Sequence, residues 1–258
     1  KSKETANGHN EPATTTAKLF ADWPTPQATL IISGQQDGYL EPCGCTQGQL
    51  GGLIRRYDFI DRLRKQGWPT AVIDLGGLVK DPLASRGGLD QSKIKFTMAL
   101  EALALLGCQA LALSVDDLKI GVGEAMAQFL NLPKGPTVVV ANVTPTPGFE
   151  SNIKPTVIIE SGPVKFGVTS VLDPDEFKNL NDPDKEAMLP TITAPREVLP
   201  STLAELEKTS DVQVLMVRGS IEYAKKLGEA HPGFDVIVAT TPYADPPSDP
   251  DTINGGKT

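Results

Sequence analysis

Between Ala28 and Thr240 the apolar residues fall into two alternating patterns. Short unbroken runs bounded by glycine or polar residues predict buried strands. They are ATLIIS (28–33), TAVIDLGG (70–77), ALALS (110–114), TVVVAN (137–142), VQVLMV (212–217) and DVIVAT (235–240). Between them, apolar positions recur at helical spacing. Leu53, Tyr57, Ile60 and Leu63 give residues 52–66 one apolar face with basic residues opposite. An Ala/Leu-rich helix is expected over 91–106, ending at Gly107, with further helices near 121–130, 201–208 and 220–230. PTVIIESGPVKFGVTSVL (155–172) predicts a hairpin turning at Ser161-Gly162-Pro163, and 173–200 reads as loop. Strand–helix alternation interrupted by one hairpin predicts an α/β sandwich with mixed sheets.

The two ends differ from this body. Residues 1–27 are polar, rich in Thr and Pro and without periodicity, which predicts a flexible tether, leaving 28–258 as a single domain. The sequence starts at Lys1 with neither methionine nor signal peptide, so a processed or trimmed chain is expected. Residues 242–258 are turn-forming and expected to be exposed, with a following strand cut off. Their NGGKT ending fails as a phosphate-binding loop, because the first glycine of that motif is missing at the required spacing.

Composition narrows the chemistry. A length of 258 residues with 40% hydrophobic content supports a substantial core. The formal charge of −8 and the absence of basic patches with interleaved aromatics argue against a nucleic-acid partner. No apolar run is long enough for a membrane-spanning helix. His9 and His231 are the only histidines, too few for a His-rich metal centre, and no C-x-x-C-H occurs for covalent haem. Cys43, Cys45 and Cys108 form no disulfide framework. Cys43 and Cys45, one residue apart, are a candidate disulfide, a free thiol pair or a soft-metal site. Arg55 and Arg56, at a helix start, either bind an anion or pair with acids such as Glu41 or Asp58.

One stretch is more specific: G-Y-L-E-P-C-G-C, a glycine-rich loop, then G-G-L-I-R-R entering a helix, Gly38 to Arg56. With VIDLGG, VVVANV and PGFDVIV downstream, it resembles the calcineurin-like metallophosphoesterases, in particular the catalytic domain of 5′-nucleotidase-type enzymes, over about Ala28 to Ala239. The resemblance implies a four-layer αββα sandwich with two metal ions at the C-terminal ends of the strands, where they activate water and clamp phosphoryl oxygens. Members with this cysteine pattern are typically exported bacterial proteins, sometimes joined to multihaem cytochrome modules. A periplasmic setting and a cytochrome-type partner are therefore implied.

The ligand positions depart from the family pattern. Asp-x-His becomes Gln35-Gln36-Asp37, and the metal-bridging aspartate becomes Gly77. Asn-His becomes Val115-Asp116, and a ligand histidine falls at or beside Arg218. Gly-His-x-His becomes Thr240-Thr241-Pro242-Tyr243. The expectation is a catalytically degenerate domain, with no cofactor, acting as a binding or interaction module. Two alternatives stay open: a phosphoesterase with one divalent cation on Asp37, Asp116 and Asp117, and a redox module using Cys43 and Cys45. Against the first, Asp116 and Asp117 read as helix caps, and Arg218 can form an internal ion pair with Asp37 or Asp116 where the metal would lie.

Overall fold

The computed structural model describes residues 19–42, 52–132, 134–145, 147–148, 150–151, 153–178, 180, 190–240 and 249–258. Cys43, Cys45, Thr241 and Tyr243 lie outside these residues. Numbered in chain order, the strands of the first sheet are β1 (Leu30–Ser33), β2 (Ala71–Asp74), β3 (Ala110–Ala112), β4 (Thr137–Val139) and β6 (Ile153–Lys154), adjacent in that order and all parallel. The second sheet is mixed. The hairpin β7 (Thr156–Ser161) and β8 (Val164–Leu172) is antiparallel, and β8 is followed by the parallel neighbours β10 (Val212–Arg218) and β11 (Val236–Ala239). Parallel pairs need crossovers, supplied in the first sheet by α1 (Leu53–Lys65), α2 (Gly88–Leu106), the single turn α3 (Val115–Leu118) and α4 (Val122–Leu130). In the second they are α6 (Pro195–Thr209) and α7 (Ile221–Ala230).

Strand periodicity builds the layers. Successive side chains on a strand point to opposite faces, so a strand buried on both faces is apolar throughout. Val214 and Met216 of β10 pack in the inter-sheet layer with Ile73, Ala110, Val139 and Val168. Leu215 and Val217 face the other way, into a cluster with Leu199 and Leu206 of α6 and Leu227 of α7. Val72, Leu111 and Val138 pack with Phe96, Leu100 and Leu103 of α2, Ile60 of α1 and Met126 of α4. The result is the expected four-layer αββα sandwich.

Several boundaries move. The 91–106 helix begins at Gly88 and ends as expected at Gly107, whose φ of 72° is left-handed. The Gly107 N–H reaches the Ala104 carbonyl and that of Cys108 the Leu103 carbonyl, a Schellman stop. The helix expected over 201–208 starts instead at Pro195, which needs no N–H partner in the first turn, and it carries Pro200 in its interior. The stretch read as loop also contains α5 (Pro174–Phe177) and β9 (Thr191–Ile192), which pairs with β5 (Val143–Thr144).

The folded part begins earlier than Ala28. Phe20 stacks on Trp68 at 5.4 Å and meets Trp23 at 5.1 Å, so the end of the supposed tether carries an aromatic cluster. The last residues are likewise held. The Asn254 amide donates to the Gly228 carbonyl at 2.9 Å, Thr258 Oγ1 to that of Phe234 at 2.8 Å, and Lys225 pairs with Asp251.

Ile73 is fully buried between the sheets. Its truncation removes transfer free energy and leaves a cavity, so Ile73→Ala is expected to cost about 2–5 kcal/mol. Urea denaturation should show a lowered midpoint with an unchanged slope.

Candidate functional site

Parallel strands with helical crossovers place their C-terminal loops along one edge, and here the loops after β1 and β2 are laced together. The Leu75 N–H donates to the Ser33 carbonyl, Gln35 N–H to Gly76, Asp37 N–H to Gly77 and Gly38 N–H to Leu78, all at 2.8–2.9 Å. The pairing continues past the strands because Gln35, Asp37, Gly38, Gly76 and Gly77 take left-handed φ of 50–75°. At Gly76 a Cβ would lie 2.6 Å from the Ala112 carbonyl oxygen, so only glycine fits.

Asp117 secures the second loop from beneath. Its buried carboxylate accepts the Gly77 N–H on Oδ2 at 2.9 Å, and the Leu78 and Val79 N–H groups on Oδ1 at 2.7 and 3.3 Å. Burial pushes its pKa up to about 7, against the pull of Arg218 and of these three N–H groups. It neither caps its own turn nor points to the mouth. The cap of α3 is Ser114, whose Oγ accepts the Asp116 N–H.

A second buried network supports the first loop. Asp74, fully buried at the end of β2, accepts the Gly76 N–H at 2.8 Å, Ser33 Oγ at 2.6 Å and Arg56 Nη1 at 3.0 Å. Arg56 Nη2 continues to Gln36 Oε1 at 2.9 Å, and the Gln36 amide donates to the Tyr39 carbonyl. Arg56 therefore pairs with Asp74, and not with Glu41 or Asp58 as its sequence neighbours imply; Asp58 lies 3.8 Å from Arg62. An arginine satisfied by a carboxylate and an amide is a brace rather than an anion receptor. Arg55, beside it on the helix, is exposed.

Arg218, the last residue of β10, crosses the loops from the opposite sheet. It is 5% exposed, donates from Nη1 to Thr240 Oγ1 at 3.1 Å, and brings Nη2 to 3.8 Å from Asp116 Oδ2. A Cβ at Gly77 would stand 3.6 and 3.7 Å from Nη1 and Nη2. The position lacking a side chain is thus faced by the guanidinium. Asp116 also takes Lys119 Nζ at 2.9 Å, and Lys119 reaches Asp81 at 3.2 Å. Burial raises the Asp37 pKa, as does Asp116, while Lys80 and Arg218 hold it down. Glu176 of α5, largely exposed, is raised by local shielding and by Asp173 and Asp116 against the pull of Arg218.

The structure thus gathers Gln35, Asp37, Gly77, Asp116, Asp117 and Arg218 around one group of strand ends. His231 caps the far end of α7. Asp74 and Asn142 escaped the sequence reading. Asn142 donates to the Leu172 and Thr193 carbonyls and accepts the Leu172 N–H, tying β4 to β8. Its advance signs are a place in the VVVANV stretch and a polar residue ending an apolar run. A two-metal centre does not fit the described residues: Gly77 and Val115 offer no donor, Gln35 offers an amide, and Arg218 places a cation among the loops. No three His, Cys, Asp or Glu side chains among the described residues group to hold a metal.

The fold matches solved structures of 5′-nucleotidase type. A 5′-nucleotidase precursor of Thermus thermophilus is 21% identical, with a TM-score of 0.66 over 82% of this chain and 41% of its own. The NAD nucleotidase NadN of Haemophilus influenzae is 16% identical, with a TM-score of 0.68 over 83% and 38%. The sulfate thiohydrolase SoxB of Thermus thermophilus is 13% identical, with a TM-score of 0.57 over 84% and 48%. The chain therefore spans less than half the length of each, and identities this low show the fold alone. No family model matches the sequence, and neither does any curated protein.

Two outcomes follow from the buried carboxylates. Arg56→Ala strands Asp74 without its cation and is expected to cost about 3–5 kcal/mol by urea denaturation. Asp117, whose folded pKa is raised from 3.8 to about 7, binds its proton more tightly in the folded state. Its contribution is fully present below the unfolded pKa and is lost as pH rises through the folded one. The stability of the parent relative to Asp117→Asn should therefore fall between pH 3.8 and 7, measured by urea titrations across that interval.

Proposed function

We propose that this chain is a 5′-nucleotidase-like domain that no longer hydrolyses esters and serves as a binding or interaction module of an exported protein. One observation carries the reading. At the strand ends, where the resemblance puts two metal ions, the bridging position is Gly77, and the space beside it faces the Arg218 guanidinium. Two divalent ions about 3.5–4 Å apart need a bridging anion, and Gly77 supplies none. A fold without its site atoms confers no activity.

The mononuclear alternative draws little support. Both oxygens of Asp117 accept backbone N–H groups, and Asp116 is engaged by Lys119 and Arg218. That leaves Asp37 as the carboxylate with the fewest commitments of the three. The redox alternative rests on Cys43 and Cys45 alone, and thiol titration with and without reductant addresses it. The setting inferred from the E-P-C-G-C resemblance is periplasmic or otherwise extracytoplasmic, with an attached or separate cytochrome-type module as partner. No described helix is long and apolar enough to cross a membrane.

Purified protein should leave nucleoside monophosphates and aryl phosphodiesters intact at background rates, with or without Mn²⁺. The control is an Asp37→Ala, Asp116→Ala double variant prepared identically. Metal-dependent turnover in the parent that disappears in this variant would replace the proposal with the mononuclear enzyme.

A further inference from the structure

We infer that Arg218 is the resident cation of the strand-end centre, holding its carboxylate-bearing loops together by charge in the place where the fold family uses metal ions. This deepens the proposed function and rests on it. Four observations converge. Arg218 is 5% exposed, and its Nε is buried with no hydrogen-bond partner among the described residues, so of its donors only Nη1 has a short hydrogen bond there. It reaches the loop after β3 through Asp116 at 3.8 Å and the residue after β11 through Thr240 at 3.1 Å. It stands over the loop after β2 at Gly77, within 3.6 Å of a would-be Cβ. It also acts electrostatically on Asp37 after β1, Asp117 after β3 and Glu176 after β8.

Charge balance explains why the cation is needed. Burial destabilises the ionised forms of Asp37 and Asp117, and Asp116 adds repulsion at Asp37. Lys119 bridges Asp81 and Asp116 at the rim, and Lys80, bonded to Tyr39 Oη, holds the Asp37 pKa down more strongly than Arg218 does, whereas at the buried Asp117 the opposing cation is Arg218. Arg218 is the inner cation, and its planar donors and fixed charge suit a site that must stay neutralised at every working pH. A guanidinium there also repels a divalent ion, so the same residue keeps metals away.

The decisive measurement is a set of thermal melts at low salt on the full chain: parent, Arg218→Met, Asp37→Asn with Asp116→Asn, and all three substitutions together. Arg218→Met keeps the length and apolar bulk of the side chain and removes the charge. Its melting temperature should fall by several degrees. Removing the two carboxylates should shift the melting temperature less favourably when Arg218 is present than when Met replaces it, a non-additivity that packing alone does not produce. Equal shifts of the same sign in both backgrounds would overturn the inference and make Arg218 a space-filler. If Arg218→Met does not fold, the triple variant decides: recovery of the fold supports a charge role, and failure to recover overturns it. Addition of millimolar CaCl₂ should leave the parent melt unchanged; a rise in the parent equal to that in Arg218→Met would also overturn it. These melts fail independently of the proposed function, which fails on hydrolysis by the parent whatever the melts show.

Discussion

The carboxylate of Asp117 is the constraint on which the strand-end region depends. It sits fully inside the protein, on the loop after β3, and its acceptors are spent on the backbone of a different loop. Those N–H groups belong to a tight left-handed turn at Gly76-Gly77, which in turn presents its carbonyls to Gln35, Asp37 and Gly38. Three consecutive strands of the first sheet therefore have their ends fixed by one side chain. An unpaired buried N–H costs on the order of 1–3 kcal/mol, so three served by one acceptor group make the turn cooperative with the turn of α3. The site's shape follows from this lacing before any ligand chemistry is considered.

Much of the sandwich was legible because strands buried on both faces are continuous apolar runs and their helical crossovers carry a strong period. The misses have physical causes. Pro200 falls at the end of the stretch read as loop, yet the helix already runs from Pro195 and tolerates this second proline in its interior. β5, β6 and β9 are two-residue strands, too short for any period to register. Phe20 and Trp23 stand in a polar stretch, and their contacts with Trp68 and Phe59 show that they belong to the fold.

The site was legible by position, and by partner for Arg218 with Asp116 but not for Arg56. Sequence order puts Asp37, Gly77 and Asp116 after three successive strands and Arg218 at the end of a later one, which brings them to one edge of a sandwich with parallel strands. Which charges meet depends on distances that sequence does not carry. Arg56 has Asp58 two residues away and pairs with Asp74, eighteen residues on, because α1 packs beside the end of β2. Asp74 and Asp117 resemble a strand-end polar residue and a helix cap, and neither appearance reveals that its carboxylate accepts backbone N–H groups of the second loop.

Gly77 and Arg218 make sense only as a pair. An aspartate at 77 in this backbone would sit at a φ of 74°, which side chains other than glycine rarely adopt, with its Cβ already in van der Waals range of the guanidinium. Its carboxylate would then turn the inner cation into a crowded salt bridge. Glycine at 77 without Arg218 would leave the repulsion between Asp37 and Asp116 to Lys80 and Lys119, and the buried Asp117 without its cation. Glycine at 77 withholds a negative charge and Arg218 adds a positive one, two features of the same sign that fit one volume beside Asp37 and Asp116. One volume at the strand ends thus accounts for both the bare Gly77 and the buried Arg218.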